Sequence, residues 1–238
     1  MTDYDMNENR IQDLSHFYND ETFDWLKKKS ESYIRLMSYY KCAMMEIETK
    51  LNVLNEEYSL EYDRNPISNI KTRLKRLQSI REKLDRQNLP QTLESIEANL
   101  HDIAGVRVIC TFIDDVYDIA EALLKQDDIT LITKKDYIAN PKPNGYRSLH
   151  LIVQIPIYLQ AGKRNMRGEI QLRTIAMDCW ASLEHQLRYK KDVADTKQIR
   201  TELQRCAAIS AELDMRMDCL RQQIIDDSDY ERRGEIGF

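Results

Sequence analysis

The largely apolar stretch Val106–Phe112 constrains the fold of this chain most, because it is rich in β-branched residues. A short apolar run of this kind is typical of a strand buried inside a sheet. Further strands are predicted at Ile129–Tyr137, Ser148–Ile157 and Glu169–Arg173, and helices at Asp114–Leu124 and Ile175–Tyr189. The pattern predicts an α+β architecture, in which helices pack on a sheet and long helices flank it at both ends.

Both ends of the chain carry a helical apolar stripe. From about Glu21 to Tyr58 the apolar residues recur at alternating steps of three and four; they are Met37, Tyr40, Met44, Ile47, Leu51, Leu54 and Tyr58. The second stripe, within about Thr196–Asp226, consists of Ile199, Leu203, Cys206, Leu213, Met217, Leu220 and Ile224, with Ser210 as its polar member. Such stripes pack on each other, on the sheet or on another subunit. Their length relative to the small sheet favours an oligomer interface for at least part of them.

A second helix is predicted from about Ile67 to Asp85. A dense basic series accompanies it, consisting of Lys71, Arg73, Lys75, Arg76, Arg81, Lys83 and Arg86. A charge run is usually a solvated face. However, Arg73, Lys75, Ser79, Lys83 and Arg86 include steps of three and four, so that several of them can point one way and neutralise a triphosphate. No GxxxxGK[ST] or GxGxxG motif is present, which excludes P-loop and Rossmann phosphate binding.

The composition narrows the class of protein. The 238 residues carry a net charge of −5, so the surface as a whole does not favour nucleic acid or an anionic membrane. No run of 18 apolar residues exists, and the polar start lacks a signal-peptide core. The five cysteines form no CxxC pair, which predicts buried thiols in a reducing cytosol.

The segment Asn140–His150 (NPKPNGYRSLH) predicts a rigid loop, because proline fixes φ and glycine permits positive φ. A loop that presents Lys142, Tyr146 and Arg147 can hold a planar, anionic ligand such as a nucleotide. A turn that leads into a strand, with incidental charges, explains the same residues equally well.

Polar residues line one face of the predicted strand Glu169–Arg173. With a period of two, Glu169, Gln171 and Arg173 share a face, and Ser148, His150 and Gln154 form a similar row on the strand that precedes it. A solvent-facing edge is the simplest explanation. Two adjoining polar rows exceed what an edge requires, and they suggest a floor that binds a ligand.

Asp102 precedes the buried strand and can meet Glu169 across neighbouring strands. Two carboxylates above a sheet, with cations around them, suit Mg²⁺ bound through carboxylates and substrate phosphates. A cap or a salt bridge to Arg107 is the alternative for Asp102. The His101-Asp102 pair also matches metal phosphohydrolases, but the further histidine and aspartate ligands of such sites are not evident.

Three segments together resemble the small alarmone synthetases of the RelA/SpoT family: His101–Arg107 (HDIAGVR), Asp136–Leu151 (DYIANPKPNGYRSLHL) and Glu169–Tyr189 (EIQLRTIAMDCWASLEHQLRY). The resemblance covers roughly residues 30–225 and is closest to the short, synthetase-only members. It implies a nucleotidyltransferase-like mixed sheet. It also implies transfer of the β,γ-pyrophosphate of ATP to the 3′-OH of GDP or GTP, which yields the stringent-response alarmone (p)ppGpp and AMP.

The resemblance also implies roles for individual residues. Asp102 would be a Mg²⁺ ligand, and Glu169 would be a second ligand or the general base near the 3′-OH. Around ATP, Arg73 and Arg107 would stack on the adenine, and Lys75, Ser79, Lys83 and Arg86 would line the phosphates. Around the acceptor, Tyr146 would stack on the guanine, Lys142 would contact the nucleotide, and His150 and Gln171 would complete the site.

Two positions depart from the family pattern. Arg76-Leu77-Gln78-Ser79 stands where many members have Ser-Pro-Glu-Ser, and Asp178 stands where some relatives have Asn. Two alternatives keep the fold but change the function: pyrophosphate transfer to the 3′ end of tRNA, which the net charge disfavours, and a non-catalytic guanine-nucleotide sensor.

The predicted organisation has three parts: a polar leader (1–20), a synthetase domain (21–195) and a C-terminal helical extension for oligomerisation (196–238). The resemblance implies a homotetramer assembled through the terminal helices, and the cytoplasm is the expected compartment. Neither a membrane nor nucleic acid is expected as a partner.

Overall fold

The computed structural model describes residues 20–62, 64–189 and 197–235. In chain order its elements are α1 (Asp20–Tyr62), β1 (Ile67–Leu74), α2 (Leu77–Arg86), α3 (Leu93–Asn99), β2 (Ala104–Cys110), α4 (Ile113–Leu124), β3 (Thr130–Asp136), β4 (Leu149–Leu159), β5 (Gly162–Thr174), α5 (Ile175–Tyr189) and α6 (Lys197–Glu235). The α+β prediction, with long helices at both ends, is confirmed. The polar leader, apart from residue 20, the domain boundary at 195/196 and residues 236–238 lie outside the described residues.

The five strands form one mixed sheet in the order β1-β2-β5-β4-β3. Strands β2 and β5 are parallel, and the other neighbouring pairs are antiparallel. A parallel pair needs a crossover connection, which here consists of α4, β3 and β4. The crossover places Gly105 beside Glu169 and Arg107 beside Gln171 in the central pair.

The sheet has one apolar and one polar face. On β5, Ile170 and Leu172 are fully buried, whereas Glu169 and Gln171 project to the opposite side and are half-buried. Helix α1 covers the apolar face, where it contacts β1, β2, β4 and β5. The packing is close, since a Cβ on Gly168 would lie only 2.8 Å from Ile47 Cδ1.

The predicted helix over 67–85 is wrong in its first half, which is strand β1. Ile67, Ile70 and Leu74 are spaced like the apolar side of a helix, but a bulge between Ile67 and Asn69 shifts the register against β2. A bulge interrupts the two-residue alternation by which a strand is recognised. Consequently Lys71 and Arg73 lie on a strand, and the basic residues do not share one helix.

In the middle region, one strand is longer than predicted and one helix was not predicted. Strand β5 begins at Gly162, seven residues before the predicted start, and forms a hairpin with β4 in which Gly162 has a φ of +116°. Helix α3 was not predicted. Its N-terminus is capped by Thr92, whose hydroxyl accepts a 3.2 Å hydrogen bond from the Ser95 amide.

Helix α6 contacts its own chain through residues that are seven positions apart. Ala207 packs near Tyr146, Asp214 Oδ2 accepts a 2.8 Å hydrogen bond from the Thr174 hydroxyl, and Arg221 pairs with Asp114 at 2.7 Å. Most of the predicted apolar stripe lies on another face of the helix, although Leu203 packs in the same cluster as Ala207. Its members Leu213, Met217, Leu220 and Ile224 are exposed.

The cysteines differ from the prediction of buried thiols. Cys179, Cys206 and Cys219 are exposed, because they lie on the outer faces of α5 and α6, whereas Cys110 is buried in β2. Within the described ranges, none of the helices combines the length and hydropathy needed to cross a membrane.

Candidate active site

A cavity of about 610 Å³ opens on the polar face of the sheet, beside helix α5. Strands β1, β2 and β5 supply its floor, and α5 supplies a wall. The predicted site residues that line it are Arg73, Lys75, Asp102, Arg107, Tyr146, Glu169 and Gln171. The sheet topology therefore brings both carboxylates, the tyrosine and several cations into one cavity.

Asp102 binds two lysines. Its Oδ2 lies 2.6 Å from Lys75 Nζ, and its Oδ1 lies 2.8 Å from Lys83 Nζ. Burial alone would raise the pKa of Asp102, but hydrogen bonds and charge from the two ammonium groups outweigh burial and lower the pKa below its usual value. Asp102 does not form a salt bridge to Arg107, which was the alternative role predicted for it, because Arg107 pairs with Asp178.

Glu169 accepts a hydrogen bond at each carboxylate oxygen. His150 Nδ1 lies 3.1 Å from Oε1, and Gln171 Nε2 lies 2.9 Å from Oε2. Burial would raise the pKa of Glu169, but these donors together lower it below its usual value, although the charge of Asp102 opposes them. Glu169 is therefore ionised at neutral pH, and its only role in these hydrogen bonds is to accept.

Two chains of hydrogen bonds connect Arg173 to Glu169. In one chain, Arg173 Nη2 donates to the Tyr146 hydroxyl (2.6 Å), which lies 2.7 Å from His150 Nε2. Because Glu169 can only accept, His150 Nδ1 is the donor between them, and in the neutral imidazole Nε2 then accepts from the tyrosine hydroxyl. In the other chain, Arg173 Nη2 donates to Gln171 Oε1 at 2.9 Å, and Gln171 donates to Glu169. The two chains fix the orientation of the Glu169 carboxylate.

Arg173 is thus a site residue to which the sequence analysis gave no role. It is 4% exposed, and its Nη1 lies 3.3 Å from Asp178 Oδ1. The same carboxylate pairs with Arg107 (3.2 Å) and with Lys71 (3.1 Å), so one aspartate of α5 holds three cations from three strands. Burial and the charge of Arg173 lower the pKa of Arg107, whereas Asp178 raises it. The alternation on β5 placed Arg173 on the polar face, but no sequence pattern links it to Asp178.

Tyr146 lies among aromatic and cationic groups at the end of the cavity. Its ring makes edge contacts with Tyr137 and His150, with centroids 6.1 and 5.7 Å away. Lys142 Nζ lies 4.7 Å from the centroid of the same ring, and Arg173 Cζ lies 5.1 Å from it. Such contacts hold an aromatic plane in a fixed direction.

The loop Asn140–His150 is held by its own hydrogen bonds. The Lys142 amide donates to the Tyr146 carbonyl (3.1 Å), and the Gly145 amide donates to the Lys142 carbonyl (2.8 Å). Gly145 has a φ of +91°, the positive value that the glycine in this loop was predicted to permit. Arg147, expected to face a ligand, instead donates to the Ile138 carbonyl at 3.2 Å and anchors the base of the loop.

The remaining predicted ATP residues divide between the cavity and α2. Lys83 reaches Asp102 from α2, whereas Ser79 and Arg86 lie on the same helix without lining the cavity. The roles of Ser79 and Arg86 toward phosphate stay predictions.

The side chains that the structure describes include no group of three His, Cys, Asp or Glu residues that could hold a metal ion. Asp102 and Glu169 supply only carboxylate oxygens, which are the donors that Mg²⁺ prefers, and Mg²⁺ usually completes its shell with water and substrate phosphates. The pair fits an ion that arrives with a nucleotide.

Comparisons with known proteins agree with the fold. Residues 72–194 match the family model described as the region found in RelA / SpoT proteins. The chain thus combines two observations. Its mixed sheet carries a nucleotide-sized cavity with two carboxylates, and the family model matches over half of its residues. This chain belongs to the RelA/SpoT family.

Two relatives, one of them in two solved structures, are similar to this chain over most of its length. The GTP pyrophosphokinase YwaC of Bacillus subtilis is 41% identical over 84% of this chain and 96% of its own length. The small alarmone synthetase 1 of B. subtilis bound to its product pppGpp superposes with a TM-score of 0.75 at 36% identity, over 82% of this chain and 98% of that one. The same synthetase bound to AMPCPP gives a TM-score of 0.70 at 33% identity, over 82% and 99%.

Proposed function

We propose that this chain is a (p)ppGpp synthetase, which transfers the β,γ-pyrophosphate of ATP to the 3′-OH of GDP or GTP and releases AMP. The observation that carries the proposal is the Glu169 carboxylate. It is ionised, oriented by two hydrogen-bond chains, and faces the cavity that cations of β1 and β2 line. The relatives called GTP pyrophosphokinase and small alarmone synthetase support the reaction.

The acceptor nucleotide would bind at Asn140–His150, termed the acceptor loop below. Tyr146 offers an aromatic plane for the guanine, and Lys142 lies beside that plane as a cation for the acceptor phosphates. His150 and Gln171 flank Glu169 and would position the ribose. The bound pppGpp of the B. subtilis relative supports a guanosine ligand in this fold.

The donor nucleotide would bind on the opposite side of the cavity. Arg73 of β1 and Arg107 of β2 lie on the same face of neighbouring strands, and their planar guanidinium groups can stack on adenine. Lys75 and Lys83 would exchange the Asp102 carboxylate for the ATP phosphates. AMPCPP, an ATP analogue, binds the same relative and supports this assignment.

The reaction forms one bond and breaks one. The 3′ oxygen attacks the β-phosphorus of ATP, the bond from that phosphorus to the α–β bridging oxygen breaks, and AMP leaves with the electron pair. Glu169 would accept the proton of the 3′-OH, since its ionised carboxylate faces the cavity without a cation from lysine, whereas the Asp102 carboxylate is paired with Lys75 and Lys83. Asp102 and Glu169 would hold a Mg²⁺ ion, which supplies charge neutralisation when it is bound.

Product analysis tests the proposal directly. The purified protein is incubated with labelled ATP and Mg²⁺ and with GDP, GTP or tRNA in parallel, and the products are separated. We expect a guanosine 3′-diphosphate and AMP in the first two reactions. If pyrophosphate is transferred to none of the acceptors, the proposed enzymatic activity is refuted. Transfer to tRNA alone would refute the guanosine nucleotide as the acceptor.

Two substitutions test the assigned roles. Glu169→Gln keeps the size of the side chain but removes the base, so kcat should fall by roughly 10²- to 10⁴-fold. Tyr146→Ala should raise the KM for the guanosine nucleotide more than Tyr146→Phe does, because only alanine removes the stacking plane. Wild-type kcat in Glu169→Gln, or an acceptor KM unchanged in Tyr146→Ala, would contradict these roles.

We also propose that the chain self-associates through the exposed stripe of α6, in the homotetramer that the family resemblance implies. The exposure of Met217, Leu220 and Ile224 supports such an interface. The buried stripe of α1 is unavailable for it. Since the proposed substrates are cytoplasmic nucleotides, we place the activity in the cytoplasm.

A further inference from the structure

Helix α6 touches the acceptor loop at the residue before Tyr146. A Cβ added to Gly145 would lie 2.4 Å from Ala207 Cβ, far inside van der Waals contact. One turn earlier on the helix, Gln204 Nε2 donates a 2.6 Å hydrogen bond to the Pro143 carbonyl. Tyr146 itself packs in the small cluster that contains Trp180, Leu203 and Ala207.

The helix cannot easily move away from the loop, because it is fixed at further points. Asp214, two turns after Ala207, is bonded to Thr174, and Arg221, two turns later, is bonded to Asp114. The Trp180 indole also donates to the Leu203 carbonyl at 3.0 Å. The loop therefore rests on a helix that is itself anchored to the sheet and to α4.

We propose that α6 forms part of the acceptor site, and that Ala207 and Gln204 are positioning residues that set the location of Tyr146 for the guanosine nucleotide. The identity of the ligand rests on the proposed function, whereas the mechanical coupling between α6 and the loop does not. The exposed part of the apolar stripe of α6, from Leu213 to Ile224, is not involved, because these contacts use a different face of the helix. The stripe member Leu203 lies earlier on the helix and packs in the cluster with Tyr146.

The main test is Ala207→Val, which pushes two methyl groups toward Gly145 without changing the backbone requirement at that glycine. We expect the KM for GDP to rise at least about tenfold, because small displacements of a positioning group have large kinetic effects. The KM for ATP should stay within about twofold. The matched control is Ala208→Val, an adjacent exposed alanine of the same helix, which should leave both constants unchanged.

A rescue experiment separates crowding from backbone strain. Gly145→Ala introduces both, because the φ of Gly145 is +91° and its Cβ would meet Ala207. Combining it with Ala207→Gly removes only the crowding, and should restore part of the lost GDP affinity. Gly162→Ala imposes a positive φ of +116° with nothing within 4 Å, and should leave the GDP KM unchanged.

A second variant decides the question if Ala207→Val does not fold. Gln204 is exposed, so that Gln204→Ala should keep the wild-type melting temperature and still raise the KM for GDP about threefold, the loss of one neutral hydrogen bond. Gln222→Ala, at an exposed glutamine of the same helix, is its control. An unchanged GDP KM in folded Ala207→Val, or in Gln204→Ala when the valine variant does not fold, would overturn the inference.

Hydrogen exchange distinguishes this inference from the proposed function. The amides of Lys142 and Gly145 are hydrogen-bonded within the loop, and they should exchange faster in Ala207→Val or Gln204→Ala than in the matched controls, without any ligand. If exchange changes but no pyrophosphate is transferred by the wild type, the proposed function fails and the coupling stands. If exchange is unchanged, the coupling fails whatever the activity.

Discussion

Helices α1 and α6 have similar lengths and the same apolar spacing, but their stripes have opposite surroundings. Ile47 and Leu51 of α1 are completely buried on the sheet, whereas Leu220 of α6 is 51% exposed and Ile224 is 69% exposed. Helix α6 instead packs on its own chain through another face, which contains Ala207, an aspartate and an arginine. A stripe of apolar residues thus identifies a helix, but it does not identify the surface that the helix covers.

The difference follows from what each helix must satisfy. The apolar face of a five-stranded sheet exposes many aliphatic side chains, and a helix with a matching stripe is needed to cover them. Helix α6 does not cover that face. It is attached by a hydrogen bond to the end of β5, by an ion pair with α4 and by a small apolar cluster on α5. Its apolar face stays available for another surface.

The largest effect should come from the buried stripe. Ile47→Ala removes a fully buried side chain that packs against Gly168, and should lower the free energy of unfolding by about 2–5 kcal/mol. Met45→Ala, at a position of the same helix that is 55% exposed, should cost less than about 0.5 kcal/mol. Urea denaturation measures both values. Equal losses in the two variants would contradict the assignment of the covered face.

An intermediate effect is expected at the exposed stripe of α6. Leu220→Glu should leave the fold intact, because the side chain is half exposed in the single chain, but should prevent self-association by placing charge in an apolar contact. Sedimentation velocity measures the change in mass, and circular dichroism checks the fold. Ala208→Glu is the control. Unchanged association in Leu220→Glu would show that this stripe is not the interface.

The smallest effect concerns the polar inner face of α6 and depends on pH. Burial raises the pKa of Asp214 above its ordinary value, although Thr174 and Arg147 oppose the shift. A carboxyl whose pKa is raised by folding stabilises the folded state below its unfolded pKa, and this contribution is lost as the pH rises through the folded pKa. Asp214→Asn should therefore melt at a higher temperature than the wild type at pH 7.

The gain should disappear as the pH approaches the ordinary aspartate value of 3.8, and asparagine can still accept the Thr174 hydrogen bond. Asp218→Asn removes an ion pair with Arg221 and should give no gain at either pH. A lower melting temperature of Asp214→Asn at pH 7 would mean that the ionised hydrogen bond outweighs the cost of burial.

The sequence was sufficient to predict those elements in which the spacing of apolar and polar residues follows from which face is buried. The alternation Glu169–Arg173 placed three polar side chains on one face, because both faces of a central strand have a defined environment. Strand β1 was missed because it lies at the edge of the sheet and contains a bulge, so its apolar residues no longer alternate. The family resemblance supplied the reaction, which periodicity alone does not contain.

The features of the site that could not be predicted are contacts between elements that lie far apart in the sequence. The pairing of Asp178 with Lys71, Arg107 and Arg173 joins a helix to three strands. The contact of Gly145 with Ala207 depends on the position of α6 relative to the loop. Neither leaves a periodic signal, because each residue has an ordinary local sequence.

The parallel pairing of β2 with β5 also has a consequence for how the protein matures. Gly105 and Glu169 are neighbours in space, but the whole crossover of α4, β3 and β4 separates them along the chain. Contacts between residues so far apart form slowly, because a long loop must close before they contribute any stability. During synthesis Asp102 and Arg107 emerge well before Glu169, so the two carboxylates of the cavity come together only near the completion of the sheet.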